Sequence, residues 1–566
     1  MSGDSQIRGW PWREILCFSG IAAILFAIIF TGPQNLVEGN EDRMAGFVQD
    51  VAYNGNWICP RDERGGLPSK PPLSAWIAAA ATVLSDTINP VTLYFPSALS
   101  TLLLACVLFV AGKKYFSYRA GIFAGLTFLF CHSIVKPMGG CRHDTLFALG
   151  VTLAALAAFN AWQKGRGWVW FWLASTMATM TKGPFGILLG AAGLLAFFWE
   201  KNRPERPRLR GNHGKGIGFF FLITGGWFVL ACWKTNGELF HRMIVQELFT
   251  HAVTSDRGDS VGSGFSKPTL TFLGGFAPWS LFVILALWRI WKTPSVEPAQ
   301  RRFERFLFCW FFVGLIIFSV AAHQRGRLII PLIPIGALLA GRELARFTKN
   351  FSRAKFSQTC AAFIVLGLAT MAVYFHIGLR KSKGVQQTEA LRSLAVKVRS
   401  QSSGHWVITH VDSPFAFQFY LKQLTALTPF NVAAPLMEES PSVFLAINPA
   451  RLKKPPLLHE TVYPLTDWTA KGEQLLQIIS NRPALDSTGG VALGIGSLIV
   501  QMENVTLETV RGNDFVFSRT NGDGSIGFVN ESNRTEKMRV RWTEENKERV
   551  HLLMPGETWL LENDSK

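Results

Sequence analysis

Residues 91–130 read VTLYFPSALSTLLLACVLFVAGKKYFSYRAGIFAGLTFLF, and this stretch decides the class of fold. Two long apolar runs lie on either side of the short basic segment Gly112–Arg119. A helix needs about 20 mostly apolar residues to cross the hydrocarbon core of a bilayer, and each run is close to that length. The stretch therefore predicts two membrane-spanning helices joined by a positively charged loop.

The same alternation of apolar runs and basic loops extends over residues 1–380. Of the 566 residues, 48% are hydrophobic and only 17% are charged, whereas about a quarter of an ordinary soluble domain is charged. Residues 384–566 have the composition of a soluble domain. We therefore predict a polytopic α-helical membrane protein with about 11–13 transmembrane helices and a C-terminal soluble domain. The expected spans lie at about 15–32, 91–112, 119–136, 143–162, 167–181, 183–199, 216–234, 270–291, 304–322, 327–343 and 357–378.

The charges of the loops predict which side of the membrane each loop lies on, because Lys and Arg concentrate in cytoplasmic loops. With the amino terminus inside, the inside loops are all rich in Lys and Arg. The C-terminal domain would then lie outside. In a bacterial inner membrane that side is the periplasm. The inside loops are Gly112–Arg119, Gln163–Arg166, Glu200–Lys215, Arg289–Arg305 and Arg342–Lys355.

Two segments bear on the number of spans. Residues 72–87 are apolar, but a full crossing there would move every later basic loop to the outside. We therefore expect a helix that lies in the outer interface or dips into it. The first apolar run resembles a signal peptide, but it is long and lacks a small-x-small cleavage site, so we expect an uncleaved anchor.

The net charge of +18 does not indicate a nucleic-acid partner. The positive residues form no single patch or arm and lie instead between apolar segments. The eight cysteines include no C-x-x-C pair and no metal-ligand spacing.

Ionisable residues recur in the loops that are expected outside. Such groups cost a few kcal/mol each if they enter hydrocarbon unpaired, so clusters on one face suggest a polar site just above the bilayer. Carboxylates can act as general bases or metal ligands, and Lys and Arg can neutralise a phosphate. The clusters contain Asn40, Glu41, Asp42, Arg43, Arg61, Lys70, Arg142, His143, Asp144, Lys182, Glu247, His251, Asp256, Arg257, Lys267, His323, Arg325 and Arg327.

Five segments resemble, in family order, those of the GT-C polyprenyl-phosphate-sugar glycosyltransferases. This superfamily includes the lipid A aminoarabinose transferases and, more distantly, the protein O-mannosyltransferases. The segments together fall within about residues 15–345, and no single motif is decisive. They are NEDRMAGFVQDVAYNGNWICPR with SKPPLSAW (40–76), RHDTLFALGVTLAALAAF (142–159), TKGPFGILL (181–189), KPTLTFLGGFAPWSLF (267–282) and RLIIPLIPIGALLAGREL (327–344).

The resemblance implies roles for individual residues. Where the family has an Asp before its catalytic-loop Glu, this chain has Asn40, which cannot act as a base. Glu41 is therefore the expected acceptor-activating carboxylate, with Asp42 as the second candidate. Lys70 matches the family lysine expected to bind the donor phosphate, although the preceding family Glu is Ser69 here. Arg325 falls near a further basic position of the family, and Arg325 and Arg327 are expected to help Lys70 bind the donor phosphate. Arg43, Arg142, Asp144 and Lys182 are expected to orient substrate.

Each of these residues also has a purely structural interpretation. Glu41 and Asp42 could stabilise the amino terminus of a helix through its dipole. Arg43 could fix the geometry of the loop by an ion pair rather than contact substrate. Lys182 and Arg327 could be basic side chains that reach up to the interface.

The resemblance implies a membrane glycosyltransferase that moves a hexose or pentose from a polyprenyl-phosphate donor to a lipid, glycan or protein acceptor at the outer face of the bacterial inner membrane. Lipid A modification is one such reaction. No cofactor is certain from the sequence, and a divalent cation held with the help of Asp144 is an open alternative. Two other functions also remain open: a flippase or transporter of a polyprenyl-linked lipid, and an outer-face oligosaccharide ligase or polymerase.

We expect two domains. Residues 1–380 would form the transmembrane domain with its first outer loop at 33–90, and residues 384–566 the extracytoplasmic domain. HWVITHVDSPFAFQFYLKQL (405–424) predicts a strand followed by a helix, within an α/β part at about 400–485. Alternating segments from about 490 to 566 predict a β-rich part. Neither part contains a recognisable catalytic constellation.

Overall fold

The computed structural model describes residues 12–36, 41–62, 65–205, 207–250, 264–320 and 326–401. Beyond residue 401 it describes 408–411, 413–422, 427–430, 432–433 and the strands given below. Close contacts divide the chain into two compact units, Met1–Gly32 with Pro68–Gly378, and Pro33–Leu67 with Leu379–Lys566. The first unit is called the membrane unit below, and the second the tail unit.

The membrane unit is helical. Its α-helices are Trp12–Thr31, Leu73–Ser85, Pro90–Tyr115, Tyr118–Leu129, His132–Met138, Asp144–Lys164, Trp168–Lys182, Phe185–Ala191, Ala196–Trp199, Gly214–Phe220, Gly226–Lys234, Glu238–Phe240, Lys267–Gly275, Ser280–Lys292, Pro298–Val320, Ile333–Phe347 and Arg353–Val373. Turns of 3-10 helix occupy Ala192–Leu195 and Gly326–Leu332, and π-helical turns occupy Phe221–Gly225, His241–Thr250 and Tyr374–Gly378.

Seven helices among the described residues are long and apolar enough to cross a membrane, and a bent pair could form an eighth span. The predicted class of a polytopic helical membrane fold is confirmed. The seven are Trp12–Thr31, Pro90–Tyr115, Asp144–Lys164, Gly214–Lys234, Pro298–Val320, Gly326–Phe347 and Arg353–Lys381.

The other expected spans are shorter or broken. The expected span 119–136 consists of two helices separated at residues 130–131, and those at 167–181 and 183–199 are helical segments of about 15 residues. The expected span 270–291 is a pair of helices bent by 116°. Gly274, Gly275 and Pro278 lie at this bend, where glycine and proline both disfavour a continuous helix.

The apolar segment at 72–87 forms the helix Leu73–Ser85, which has 13 residues. At 1.5 Å per residue it is about 20 Å long, whereas the hydrocarbon core is about 30 Å thick. This length fits the expected interfacial helix rather than a full span.

Glycines allow the backbones of neighbouring helices to approach closely. A Cβ atom on Gly112 would lie 2.7 Å from the Cα atom of Gly121 in the next helix, and one on Gly341 would lie 2.6 Å from the carbonyl oxygen of Ala120. Small residues at helix contacts are the usual means of packing in a bilayer, because burial from water does not drive association there. Substituting either glycine would therefore push two helices apart.

A buried network of ion pairs joins three of the expected inside loops. Glu200 accepts hydrogen bonds from Arg301 and Arg305, the latter at 2.7 Å. Glu304 accepts from Arg342 at 2.7 Å. Glu343 accepts from Arg342 and from Arg289. In the sequence these arginines serve only as topology signals, but the structure shows that they neutralise fully buried carboxylates.

The tail unit contains the first part of the outer loop. The helix Glu41–Asn54 belongs to it, and so do the helices Lys383–Gln401 and Phe415–Leu421. The backbone N–H of Leu36 donates to the hydroxyl of Thr388 at 3.1 Å. Residues 33–67 are thus part of the same compact unit as the C-terminal domain.

Three sheets complete the tail unit. Thr409–His410 pairs in parallel with Phe444–Ile447, which pairs antiparallel with Glu473–Ser480, itself paired with Tyr463–Ala470. The second sheet has the order Lys547–Leu553, Glu536–Trp542, Val505–Thr509 and Ile499–Met502, and the third has the order Thr558–Leu561, Ile526–Asn530 and Val516–Thr520. A mixed α/β part is followed by a β-rich part, as predicted.

Candidate functional site

The best-defined polar site of the membrane unit is built on two antiparallel helices, Asp144–Lys164 and Trp168–Lys182. The turn between them is short because Gly165 and Gly167 adopt φ values of +66° and +95°, which glycine tolerates at no steric cost. The first residue of one helix and the last residue of the other therefore lie at the same end. Those two residues are Asp144 and Lys182.

Asp144 and Lys182 form a buried ion pair. The ammonium of Lys182 lies 2.5 Å from Oδ1 of Asp144, and their side chains are 15% and 3% exposed, respectively. Lys182 also lies 5.7 Å from the centre of the Phe147 ring. Each charge sits where the helix dipole favours it, the acid in a first turn and the base in a last turn. Gly183, with φ of +100°, ends the second helix.

His143 lies next to this pair, and its pKa reflects the burial and the charges around it. Burial lowers the pKa of His143 to about 3. The Asp144 carboxylate opposes this shift, while the charges of Lys182, Lys70 and Arg327 add to it. Three predicted cations, contributed by three different segments, are therefore close enough to act on one imidazole. The imidazole is neutral at physiological pH.

Charges of both signs act on His143. Three cations and one carboxylate surround the neutral His143, and Lys182 is already paired with Asp144. Lys70 and Arg327 contribute the other two cations that act on His143. Such an arrangement favours an anion, and a phosphate fits the combination of an ammonium and a guanidinium. The term phosphate cluster is used below for Lys70, His143, Asp144, Lys182 and Arg327.

Arg142 lies on the short segment that leads into the phosphate cluster. The hydroxyl of Ser97 is 2.9 Å from the carbonyl oxygens of both Gly140 and Arg142. Ser97 is fully buried in the helix Pro90–Tyr115. It can donate to either carbonyl and so holds the segment before Asp144 against that helix.

Glu41, Asp42 and Arg43 lie in the tail unit, at the start of the helix Glu41–Asn54. Glu41 is only 3% exposed, and both acids fall in the first helical turn, where the dipole stabilises them. Arg43 donates from Nε to Oδ2 of Asp62 at 2.7 Å and from Nη2 to the carbonyl oxygen of Leu67 at 3.4 Å. Arg43 therefore fixes the loop, which is the structural role that the sequence left open.

Two further acids of this loop were not singled out from the sequence. Asp50 accepts hydrogen bonds from the backbone N–H of Arg61 at 2.6 Å and from the amide of Asn56 at 3.0 Å. Asp62 accepts from the backbone N–H of Gly66 at 2.6 Å. Both carboxylates hold the loop by accepting hydrogen bonds from backbone N–H groups, a role that no sequence motif indicates.

Several predicted residues lie outside the described residues, among them Arg325. The others are Asn40, His251, Asp256, Arg257 and His323. Among the residues that the structure does describe, no group of three or more His, Cys, Asp or Glu side chains is arranged to hold a metal ion.

Two family models match the chain. Residues 69–227 match the model described as dolichyl-phosphate-mannose-protein mannosyltransferase. Residues 265–412 match the model described as the Alg9-like mannosyltransferase family. The first match begins one residue before Lys70 and includes Asp144 and Lys182.

Curated relatives include undecaprenyl phosphate-α-4-amino-4-deoxy-L-arabinose arabinosyl transferases. The protein from Proteus mirabilis is 24% identical over 64% of this chain and 66% of its own length. The protein from Erwinia tasmaniensis is 24% identical over 65% of this chain and 66% of its own length. The matched part thus spans slightly less than two thirds of each relative.

Solved structures share the fold. ArnT from Cupriavidus metallidurans in the apo state superimposes with a TM-score of 0.62 at 18% identity, over 84% of this chain and 99% of that one. The same protein bound to undecaprenyl phosphate gives a TM-score of 0.61. These likenesses confirm the GT-C fold predicted from the sequence.

Proposed function

We propose that this chain, a multi-pass membrane protein with the GT-C fold and the sequence features of the polyprenyl-phosphate-sugar glycosyltransferases, transfers a sugar from a polyprenyl-phosphate donor to a lipid, glycan or protein acceptor. The proposal takes its chemistry from the phosphate cluster. It takes its class of donor from the relatives, whose names specify an undecaprenyl phosphate sugar.

One observation carries the proposal. Lys70 and Arg327 come from distant parts of the chain, yet both act on His143 beside the Lys182–Asp144 pair. A site for an uncharged lipid would not need cations brought together from three segments of the chain. A lipid phosphate can bind to an ammonium and a guanidinium, and its hydrocarbon tail can remain in the bilayer.

The phosphate is also the leaving group. As the bond between the anomeric carbon and the phosphate oxygen breaks, the electron pair goes to the phosphate and its negative charge grows. Lys70 and Arg327 are the groups proposed to stabilise that charge, and fixed charges aimed at a developing anion are usually the largest catalytic contribution. The neutral His143 can donate a hydrogen bond without adding a further charge.

The acceptor must lose a proton as its oxygen attacks the anomeric carbon. A carboxylate is the suitable base, and Glu41 is our first candidate, with Asp42 the second. Direct displacement from the face opposite the phosphate inverts the configuration at the anomeric carbon. Asp144, Lys182 and Arg142 are proposed to orient the donor.

The sugar is proposed to be a pentose or hexose, and an aminopentose in particular is supported by the names of the relatives. Lipid A is one of the proposed acceptors, beside other lipids, glycans and proteins. The basic inside loops support a bacterial inner-membrane location, with the site and the tail unit on the periplasmic side. Arg325 remains a proposed phosphate ligand.

The test uses the full-length protein in liposomes with total lipid extract from its host as the source of donor and acceptor. Mass spectrometry measures the undecaprenyl phosphate released. We expect Lys70→Ala and Glu41→Gln to lower the initial rate about 100-fold or more, with Asp42→Asn as the alternative base variant. Lys234→Ala, an exposed lysine on the same expected face, is the control and should keep the wild-type rate. Wild-type rates in all three site variants would overturn the assignment.

A further inference from the structure

An open groove of about 820 Å³ lies at the end of the helix bundle opposite the phosphate cluster. It is lined by the helices Pro90–Tyr115, Asp144–Lys164 and Trp168–Lys182. The helix Asp144–Lys164 has 21 residues and is therefore about 30 Å long. Asp144 at one end marks the phosphate cluster, and Lys164 at the other end marks the groove.

The groove has an apolar wall. Leu153 and Leu156 line it on one helix, and Leu173 and Met177 line it on the next. From Leu153 to Lys164 the lining residues extend along the helix for about 16 Å. A groove of that length and composition suits a hydrocarbon chain.

The mouth of the groove is positively charged. Lys114, Lys164 and Arg166 lie there, and none of the residues that line the groove in the described part of the chain is acidic. Lys114 and Lys164 are close enough for their charges to act on each other. Like charges held together without a carboxylate in the lining favour an anionic ligand.

The mouth is also held in position. The ammonium of Lys114 donates to Oδ1 of Asn160 at 2.9 Å, and the hydroxyl of Tyr115 donates to the same oxygen at 2.7 Å. Lys164 and Arg166 flank Gly165 in the tight turn between the two helices, where its left-handed conformation is required. A hydrogen bond thus holds the side chain of Lys114, and the tight turn fixes the backbone of Lys164 and Arg166.

Trp170 indicates what surrounds the groove. It lines the groove and is 66% exposed. Tryptophan is enriched at the level of lipid headgroups, where one part of the ring is in contact with hydrocarbon and the N–H remains near water. The mouth of the groove then lies at headgroup depth, with its apolar wall beside the acyl chains.

We propose that this groove binds an anionic phospholipid from the leaflet opposite the phosphate cluster. Lys114, Lys164 and Arg166 hold its phosphodiester, and Leu156 and Met177 contact an acyl chain. The apolar wall favours a lipid over a soluble phosphate, which would use only the mouth. With the basic loops inside, this leaflet is the cytoplasmic one, which is rich in anionic lipid. The site is separate from the proposed sugar transfer and involves none of its residues.

The test is native mass spectrometry of the full-length protein in detergent, titrated with palmitoyl-oleoyl-phosphatidylglycerol or with the zwitterionic phosphatidylcholine of the same chains. We expect the first phosphatidylglycerol molecule to bind more tightly than phosphatidylcholine. In the double variant Lys164→Gln/Arg166→Gln the dissociation constant for phosphatidylglycerol should rise roughly tenfold or more, because each cation near a lipid surface contributes substantially.

The matched control is Lys201→Gln/Arg208→Gln. It removes one exposed lysine and one exposed arginine from another expected inside loop, outside the groove. This control should bind the first phosphatidylglycerol as the wild type does. Equal losses in both double variants would show general surface attraction and overturn the proposal, as would equal binding of the two lipids. Displacement of phosphatidylglycerol by millimolar glycerol phosphate would also overturn it, in favour of a soluble ligand.

Discussion

The ammonium of Lys182 lies 2.5 Å from the carboxylate of Asp144, although 37 residues separate them in the chain. Both side chains are largely buried at the same end of two antiparallel helices. The pair thereby fixes two opposite charges beside His143, the imidazole on which Lys70 and Arg327 also act.

Removing one member of this pair should destabilise the protein more than removing both. Lys182→Met leaves the carboxylate of Asp144 buried without its partner, and breaking a buried pair costs about 3 kcal/mol or more. The double variant Asp144→Asn/Lys182→Met leaves no charge and should recover much of that loss. Thermal unfolding in detergent measures both.

The exposed pair of Arg392 with Glu389, 3.8 Å apart, provides the control. Glu389→Gln should shift the midpoint little, since exposed pairs contribute about 0–1 kcal/mol. If Lys182→Met were no more destabilising than Glu389→Gln, the ion pair would not stabilise the fold around the phosphate cluster.

His143 should remain neutral over the working range of the protein. Its pKa of about 3 lies far below the ordinary value of 6.5, because burial and three cations oppose its protonation. The rate of sugar transfer should therefore not depend on protonation of His143 near pH 6.5. Any inflection of the pH–rate profile at that pH should be the same in the wild type and in His143→Gln. A pH–rate profile of both proteins measures this, and an inflection lost in the variant would show that the imidazole titrates there.

The same pKa predicts how stability depends on pH. The unfolded imidazole takes up a proton below about pH 6.5, whereas the folded one does so only near pH 3. The contribution of His143 to stability is thus complete above pH 6.5 and falls with decreasing pH, by up to about 1.4 kcal/mol per pH unit. Thermal midpoints at pH 7.5 and pH 5 should differ more for the wild type than for His143→Gln. Equal differences would contradict the lowered pKa.

Arg43 should not be replaceable by lysine. Its guanidinium reaches Asp62 through Nε and the carbonyl of Leu67 through Nη2, two directions that one ammonium cannot reproduce. We expect Arg43→Lys to destabilise the protein by about 1.5–3 kcal/mol, the value of a charged hydrogen bond. Arg61→Lys is the control, because Arg61 is exposed and donates to the carbonyl of Gly65 from a single nitrogen. Equal thermal midpoints of the two variants would argue against the structural role of Arg43.

In the buried network at the other end of the bundle, two carboxylates that contact the same arginine can be compared. Arg301 contacts the fully buried Glu200 and the partly exposed Glu205. We expect Glu200→Gln to cost about 3 kcal/mol or more and Glu205→Gln to cost much less, because only the first leaves buried arginines without their carboxylate. Thermal unfolding distinguishes them, and the reverse order would contradict the role given to burial.

The sequence was sufficient for the membrane class of the fold because apolar runs of spanning length are long, unambiguous signals. It also allowed Asp144 and Lys182 to be chosen, since each lies at the mouth of an apolar run. The turn at Gly165 and Gly167 explains why the two meet, but a pairing between side chains of different helices depends on packing that a single sequence does not display.

Other features could not be predicted for related reasons. The bend between Gly275 and Ser280 interrupts a run that remains apolar throughout, so hydropathy alone predicts a single span there. Glu200 and Glu343 lie in strongly basic loops, where a few acids do not change the topology signal. Their burial follows from three-dimensional contacts with arginines far along the chain.

The central claim is that the protein transfers a sugar from a polyprenyl phosphate. It is tested most directly by mass spectrometry of lipids and glycans from cells that carry the gene, lack it, or carry the Lys70→Ala variant. The account predicts that one acceptor gains the mass of a single sugar only with the wild-type gene, while the undecaprenyl-phosphate sugar accumulates in the other two strains. Identical acceptor and donor pools in all three strains would contradict it.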